Sequence, residues 1–126
     1  MNMLVTVQNA ANHGFSRAEV EAMLQHVPKP WSTNVDSVVL YSHREPDFRC
    51  TYYPKERILG LFWPSAGRQQ KPSKAAAAEE MLLALSVIAE QGSLPERLSA
   101  SLREEHLGAI ASIRDRCLRA IGQHAT

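Results

Sequence analysis

A chain of 126 residues, 44% hydrophobic and 21% charged, has the size and make-up of one globular domain spanning 1–126. Its formal net charge of +1 excludes binding to nucleic acid by bulk positive charge, and equally an acidic mimic of nucleic acid. No apolar run nears the roughly 18 residues that cross a bilayer, and MNMLVTVQNAANHG lacks the basic start and long apolar stretch of a signal peptide.

Met3 to Gln8 (MLVTVQ) is short and β-branched, which predicts a strand, and residues 9–14 read as a loop. Ser16 is a good N-cap and Glu19 completes a capping box, while Phe15 and Val20 flank it as a hydrophobic staple. Val20, Met23, Leu24 and Val27 recur at helical spacing, predicting an amphipathic helix from Arg17 to His26 that Pro28 and Pro30 end. Val35 to Ser42 predicts a strand whose centre, Val38 to Tyr41, is buried on both faces. Beyond a charged loop, His43 to Asp47, the segments Arg49–Tyr53 and Arg57–Trp63 predict a β-hairpin bent at Pro54-Lys55-Glu56. Gly60 inside its second strand predicts a bulge or a close approach by another backbone.

Pro64 to Ser73 is polar, with glycine and two prolines, and reads as an exposed loop. Ser73 caps a helix from Lys74 to Gln91, which Gly92 stops. Ala78, Met81, Leu82, Leu85, Ile88 and Ala89 mark its inner face, and Leu83, Ala84 and Val87 make most of the remainder apolar, so this helix is expected at the centre. Leu94 to Leu98 is a short turn, and Ser101 with Glu104 repeats the capping-box pattern. Leu102, His106, Ile110, Ile113, Cys117 and Ile121 then trace one stripe of a last helix. This order predicts an α+β fold. Its parts are a small, mostly antiparallel sheet with a β-hairpin, packed against a long central helix and a C-terminal helix, and preceded by one short helix.

Catalytic equipment is sparse. The five histidines (13, 26, 43, 106 and 124) show no helical ligand spacing, and no CxxC or HExxH occurs, so no metal and no cofactor are expected. There is no G-x-S-x-G elbow and no phosphate-cradling glycine motif. Cys50 follows His43 by seven residues, close enough for a thiol and a base to meet across a turn, which gives a cysteine-dependent enzyme as one alternative. Residues 44–74 hold seven Arg or Lys against three acids, interleaved with Tyr52, Tyr53, Phe62 and Trp63. That mixture grips phosphates and stacks bases, so a nucleic-acid-binding accessory protein is a second alternative.

The order helix, hairpin-containing strands, long helix and further helix resembles the minimal core of zincin-like metallopeptidases. In that family the long helix carries His-Glu-x-x-His, and the corresponding segment here is Glu79-Glu80-Met81-Leu82-Leu83. Glu80 matches the family's catalytic glutamate, whereas Glu79 and Leu83 stand where the two histidine ligands would be, and leucine cannot bind zinc. The resemblance therefore implies a scaffold without its zinc and without peptidase chemistry.

The leading expectation is a cytoplasmic, non-enzymatic domain that binds another protein, with a homo-oligomer as a further option. The hairpin tip offers Lys55 and Arg57 for charge-assisted bonds, the neighbouring loop offers Arg68 and Lys71, and Trp63 is the expected apolar anchor.

Overall fold

The computed structural model describes residues 3–8, 13–43, 47–64 and 73–122. The elements follow one another as β1 (Leu4–Val7), α1 (Arg17–Leu24), a 3₁₀ turn (Lys29–Ser32), β2 (Ser37–His43), β3 (Arg49–Tyr53), β4 (Ile58–Pro64), α2 (Lys74–Gln91) and α3 (Ala100–Ala120). The α+β class is as expected.

Local signals act where the sequence places them. Ser16 Oγ accepts from the Glu19 amide at 3.1 Å, and the Glu19 carboxylate accepts from the Ser16 amide at 2.9 Å, closing the capping box of α1. The staple residues Phe15 and Val20 both lie in the core. Ser73 Oγ caps α2 through the Ala76 amide, and Gly92 ends it in the left-handed conformation with φ of 73°. The cap of α3 is Ser99, two residues before the expected Ser101, because the helix already runs from Ala100 and the Ser99 hydroxyl takes the Leu102 amide at 3.2 Å.

The strand pairing corrects the expectation of a mostly antiparallel sheet. The order is β1-β2-β4-β3, and only β3 and β4 run antiparallel; β1 with β2 and β2 with β4 are parallel. Two connections cause this. The segment holding α1 and the 3₁₀ turn is long enough to cross over between β1 and β2, as parallel neighbours require. The β3–β4 hairpin then folds back so that β4 slots in beside β2, leaving β3 on the edge.

Alternation divides the sheet into two unlike faces. Val5, Val38, Leu40, Leu59, Leu61 and Trp63 point inward and share one core with residues of all three helices. Central α2 is buried almost all round, from Ala77 to Ile88 apart from Glu79 and Glu80. Those two carboxylates reach sideways to α3, Glu79 to Arg114 at 2.6 Å and Glu80 to Arg103 through a two-pronged pair. Lys74 joins α2 to α1 through Glu19 at 2.6 Å. The described helices α1 and α2 therefore pack on the inward face of the sheet, and α3 packs against both of them. None of the described helices is long and apolar enough to cross a membrane.

Candidate binding surface

The hairpin turn is built around Arg57, which adopts a left-handed backbone with φ of 59°. Side chains with a Cβ resist that conformation, at a cost of roughly 1–2 kcal/mol. Arg57 holds it through contacts to the segment before β2: its Nε lies 3.0 Å from Asp36 Oδ2, its Nη2 donates to the Thr33 carbonyl, and its own carbonyl accepts from the Asp36 amide at 2.8 Å. Tyr52 secures the same segment by donating to the Asn34 carbonyl at 2.6 Å, and Asn34 Nδ2 donates to Ile88 O at the end of α2. Arg57 is thus engaged at the surface by Asp36 and Thr33 of its own chain, whereas Lys55 is exposed at the tip.

The outward face of the sheet adjoins that turn. Across it lie Leu4, Ser37, Ile58 and Tyr53 in one row, Thr6, Val39, Gly60 and Thr51 in the next, and Tyr41, Phe62 and Arg49 in a third. Tyr41 and Phe62 stack with centroids 4.6 Å apart and planes 10° from parallel, and His43 tilts against Phe62 at 5.6 Å. Leu4 is 63% and Tyr53 38% exposed, Tyr41, Phe62 and Ile58 are half-buried, and Val39 between them is buried at 4% although it lies outside the main core cluster. Arg49 is the only formal charge among the paired, described positions of this face.

Gly60 explains how the aromatic pair fits. Both ladders run through it without a bulge, so the expected irregularity does not occur. A Cβ there would meet the Phe62 ring at 2.8 Å and the Tyr41 ring at 3.3 Å. Glycine makes room for two rings; the approach is by side chains, and no other backbone is involved.

The other expected site residues are dispersed. Trp63 is 3% exposed, so it cannot serve as a surface anchor. Strand alternation turns it inward, where His13, Phe15 and Phe48 surround its ring at centroid distances of 5.4 to 5.7 Å. Arg68 and Lys71 lie outside the described residues. His43 and Cys50 fall on opposite faces, since His43 is in register with Pro64 and touches Phe62 while Cys50 pairs with Leu61 and packs against the core. The proposed thiol–base pair does not form. Burial pushes the Cys50 thiol well above its ordinary pKa, and the nearby Glu80 charge adds to the rise.

The concavities among the described residues include a small one and a wider one. Cys50, Glu80, Arg103, Arg49 and Leu98 border a pocket of about 150 Å³, in which burial raises the Glu80 pKa against the pull of Arg103. A wider groove of about 410 Å³ runs between the end of α1 and the 3₁₀ turn, past Met3, Leu24, Val27 and Lys29. The first sets Cys50 near Glu80, but the Glu80 carboxylate is paired with Arg103 and its charge raises the thiol pKa further rather than activating it.

Sequence reasoning missed Tyr41 as a half-exposed residue, because an apolar run such as Val38-Val39-Leu40-Tyr41 does not reveal that none of the described helices covers one face. Comparison with known proteins finds no match, whether to family models, curated sequences or solved structures.

Proposed function

We propose that this chain is a non-enzymatic binding module that receives another protein on the outer face of its sheet and on the adjoining turn at Lys55. The observation that carries this reading is the packing of the described helices on one side of the sheet, which leaves the half-buried Tyr41–Phe62 stack, with Leu4, Thr6, Thr51, Tyr53 and Ile58 beside it, outside the core. A contiguous apolar patch of this kind marks interaction surfaces. The aromatic pair supplies contact area at little entropic cost, and Lys55 supplies a charged rim.

Single-stranded nucleic acid is the second reading, favoured by the alignment of Tyr41, Phe62 and Arg49 in one row across three strands. Stacking platforms of this type also need several cations along the backbone path. With Arg57 occupied by Asp36 and Thr33, protein is the better partner class.

A photo-crosslinking residue at position 53 tests both readings in cells, with position 116 on the exposed side of α3 as the control. Discrete protein adducts at 53 that are absent at 116 and lost on Phe62→Asp support the leading reading. Nuclease-sensitive adducts support the second. An adduct with this same chain makes the partner a second copy, which sedimentation would confirm. Identical patterns at the two positions would remove the face from consideration.

A further inference from the structure

Where α2 ends and α3 begins, three side chains converge that neither the hairpin nor the sheet face uses. Glu90 is the penultimate residue of α2, and Glu105 and His106 lie in the second turn of α3. One donor atom from each lies within 4.8 Å of the other two. The carboxylates are exposed, while His106 is 3% exposed and belongs to the inward stripe of α3.

The two ring nitrogens of His106 have different surroundings. Nδ1 lies 2.6 Å from Ser86 Oγ in the interface between α2 and α3. Nε2 is buried, makes no hydrogen bond among the described residues, and faces the acids with Glu90 Oε1 at 3.4 Å. Buried polar atoms rarely stay unpaired. With Nδ1–H donating to Ser86, Nε2 carries the lone pair, which is the tautomer a metal-bound histidine takes when a neighbour holds its other nitrogen.

We propose that Glu90, Glu105 and His106 bind one divalent transition-metal ion of the zinc class. Imidazole with carboxylates suits such ions, and zinc bonds of about 2.1 Å at a tetrahedral centre place neighbouring donors roughly 3.4 Å apart. His106 Nε2 and Glu90 Oε1 already have that separation. Glu105 closes the third corner by changing rotamer at an exposed position, and water takes the fourth. The partial negative charge at the end of α2 favours a cation there as well. The ion would clip the last turn of α2 to α3, and its ligands do not include any residue of the segment Glu79–Leu83. Ser86 is a positioning residue in this scheme.

The test is a calorimetric titration of the chelator-treated full chain with Zn²⁺, alongside Glu90→Gln, Glu105→Gln and Ser86→Ala. One ion per chain is expected, with a raised thermal midpoint. The two glutamine variants should keep the metal-free midpoint and lose about tenfold or more in affinity, and Ser86→Ala should lose about tenfold through the tautomer. Long-range ¹H–¹⁵N spectra should show zinc shifting His106 Nε2 specifically. Absence of uptake below millimolar zinc, uptake by both glutamine variants as tight as the parent's, or a His106 ring whose nitrogens are unaffected by zinc would each overturn the proposal.

Discussion

Gly14 lies flat against the indole of Trp63: a β-carbon on Gly14 would fall 2.0 Å from ring atom Cζ2 and 2.1 Å from Cη2. The indole is hemmed in by His13, Phe15 and Phe48, so it has no direction in which to retreat. Gly14→Ala should therefore destabilise the fold by about 1–3 kcal/mol, the range for overpacked cores. Denaturant midpoints followed by tryptophan emission would measure it, and an unchanged midpoint would contradict the packing described.

Arg57 combines a strained backbone with a structural ion pair, which separates two substitutions that look alike. Arg57→Ala loses the side-chain contacts to Asp36 and Thr33 and keeps the left-handed φ, whereas Arg57→Gly loses the same side-chain contacts and relieves the strain. The glycine variant should be the more stable of the two by roughly 1 kcal/mol. Lys55→Ala, at the exposed tip, should leave stability within about 0.5 kcal/mol of the parent. Equal stabilities for the glycine and alanine variants would count against strain at this turn.

His13 predicts a pH dependence. Burial holds its pKa below the ordinary 6.5. Its Nδ1 accepts from the Phe15 amide at 2.9 Å, and its Nε2 lies 3.1 Å from the Leu61 carbonyl, so the neutral ring has a use for both nitrogens. The unfolded chain then takes up the proton first as the pH falls, and folding stability drops with it. The contribution is complete above pH 6.5 and is lost as the pH falls through the folded-state value. Compared with His13→Gln, the parent should lose stability more steeply as the pH falls below 6.5, so that the gap narrows. Parallel curves would refute this.

Neither cysteine should behave as a reactive thiol. Burial raises both, Cys117 to about 11, and Cys117 donates to the Met23 carbonyl at 3.3 Å. A disulfide reagent near pH 8 should label neither in the folded protein and both after denaturation. Rapid labelling of Cys50 in the native state would reopen a thiol-dependent activity.

The sequence announced those features whose causes are local. The capping box at Ser16 and Glu19, the stop at Gly92 and the apolar circumference of α2 each involve residues within a few positions of one another, and each took the expected form. Strand partners are chosen over longer distances. Nothing within TYYPKERILGLFWPS indicates that its second half will pair with Val38-Val39-Leu40 as well as with its own hairpin. The same limit hid the binding surface. Trp63 and Phe62 are neighbours in the chain and equally aromatic, yet one faces the core and the other faces outward, and only the register of β4 decides which. His106 was legible as part of a helical stripe; its partners Ser86 and Glu90 sit on another helix and became visible only once α2 and α3 were packed.

The placement of β4 governs the order in which the protein can be completed during synthesis. β2 and β3 emerge from the ribosome before it, and in the finished sheet neither touches the other, because the strand made last lies between them. A chain that ends at the turn of Pro54 to Arg57 lacks the strand that joins β2 to β3 in the finished sheet. Ile58 to Pro64 acts as a keystone, and the half-made domain depends on its arrival for both flanks at once.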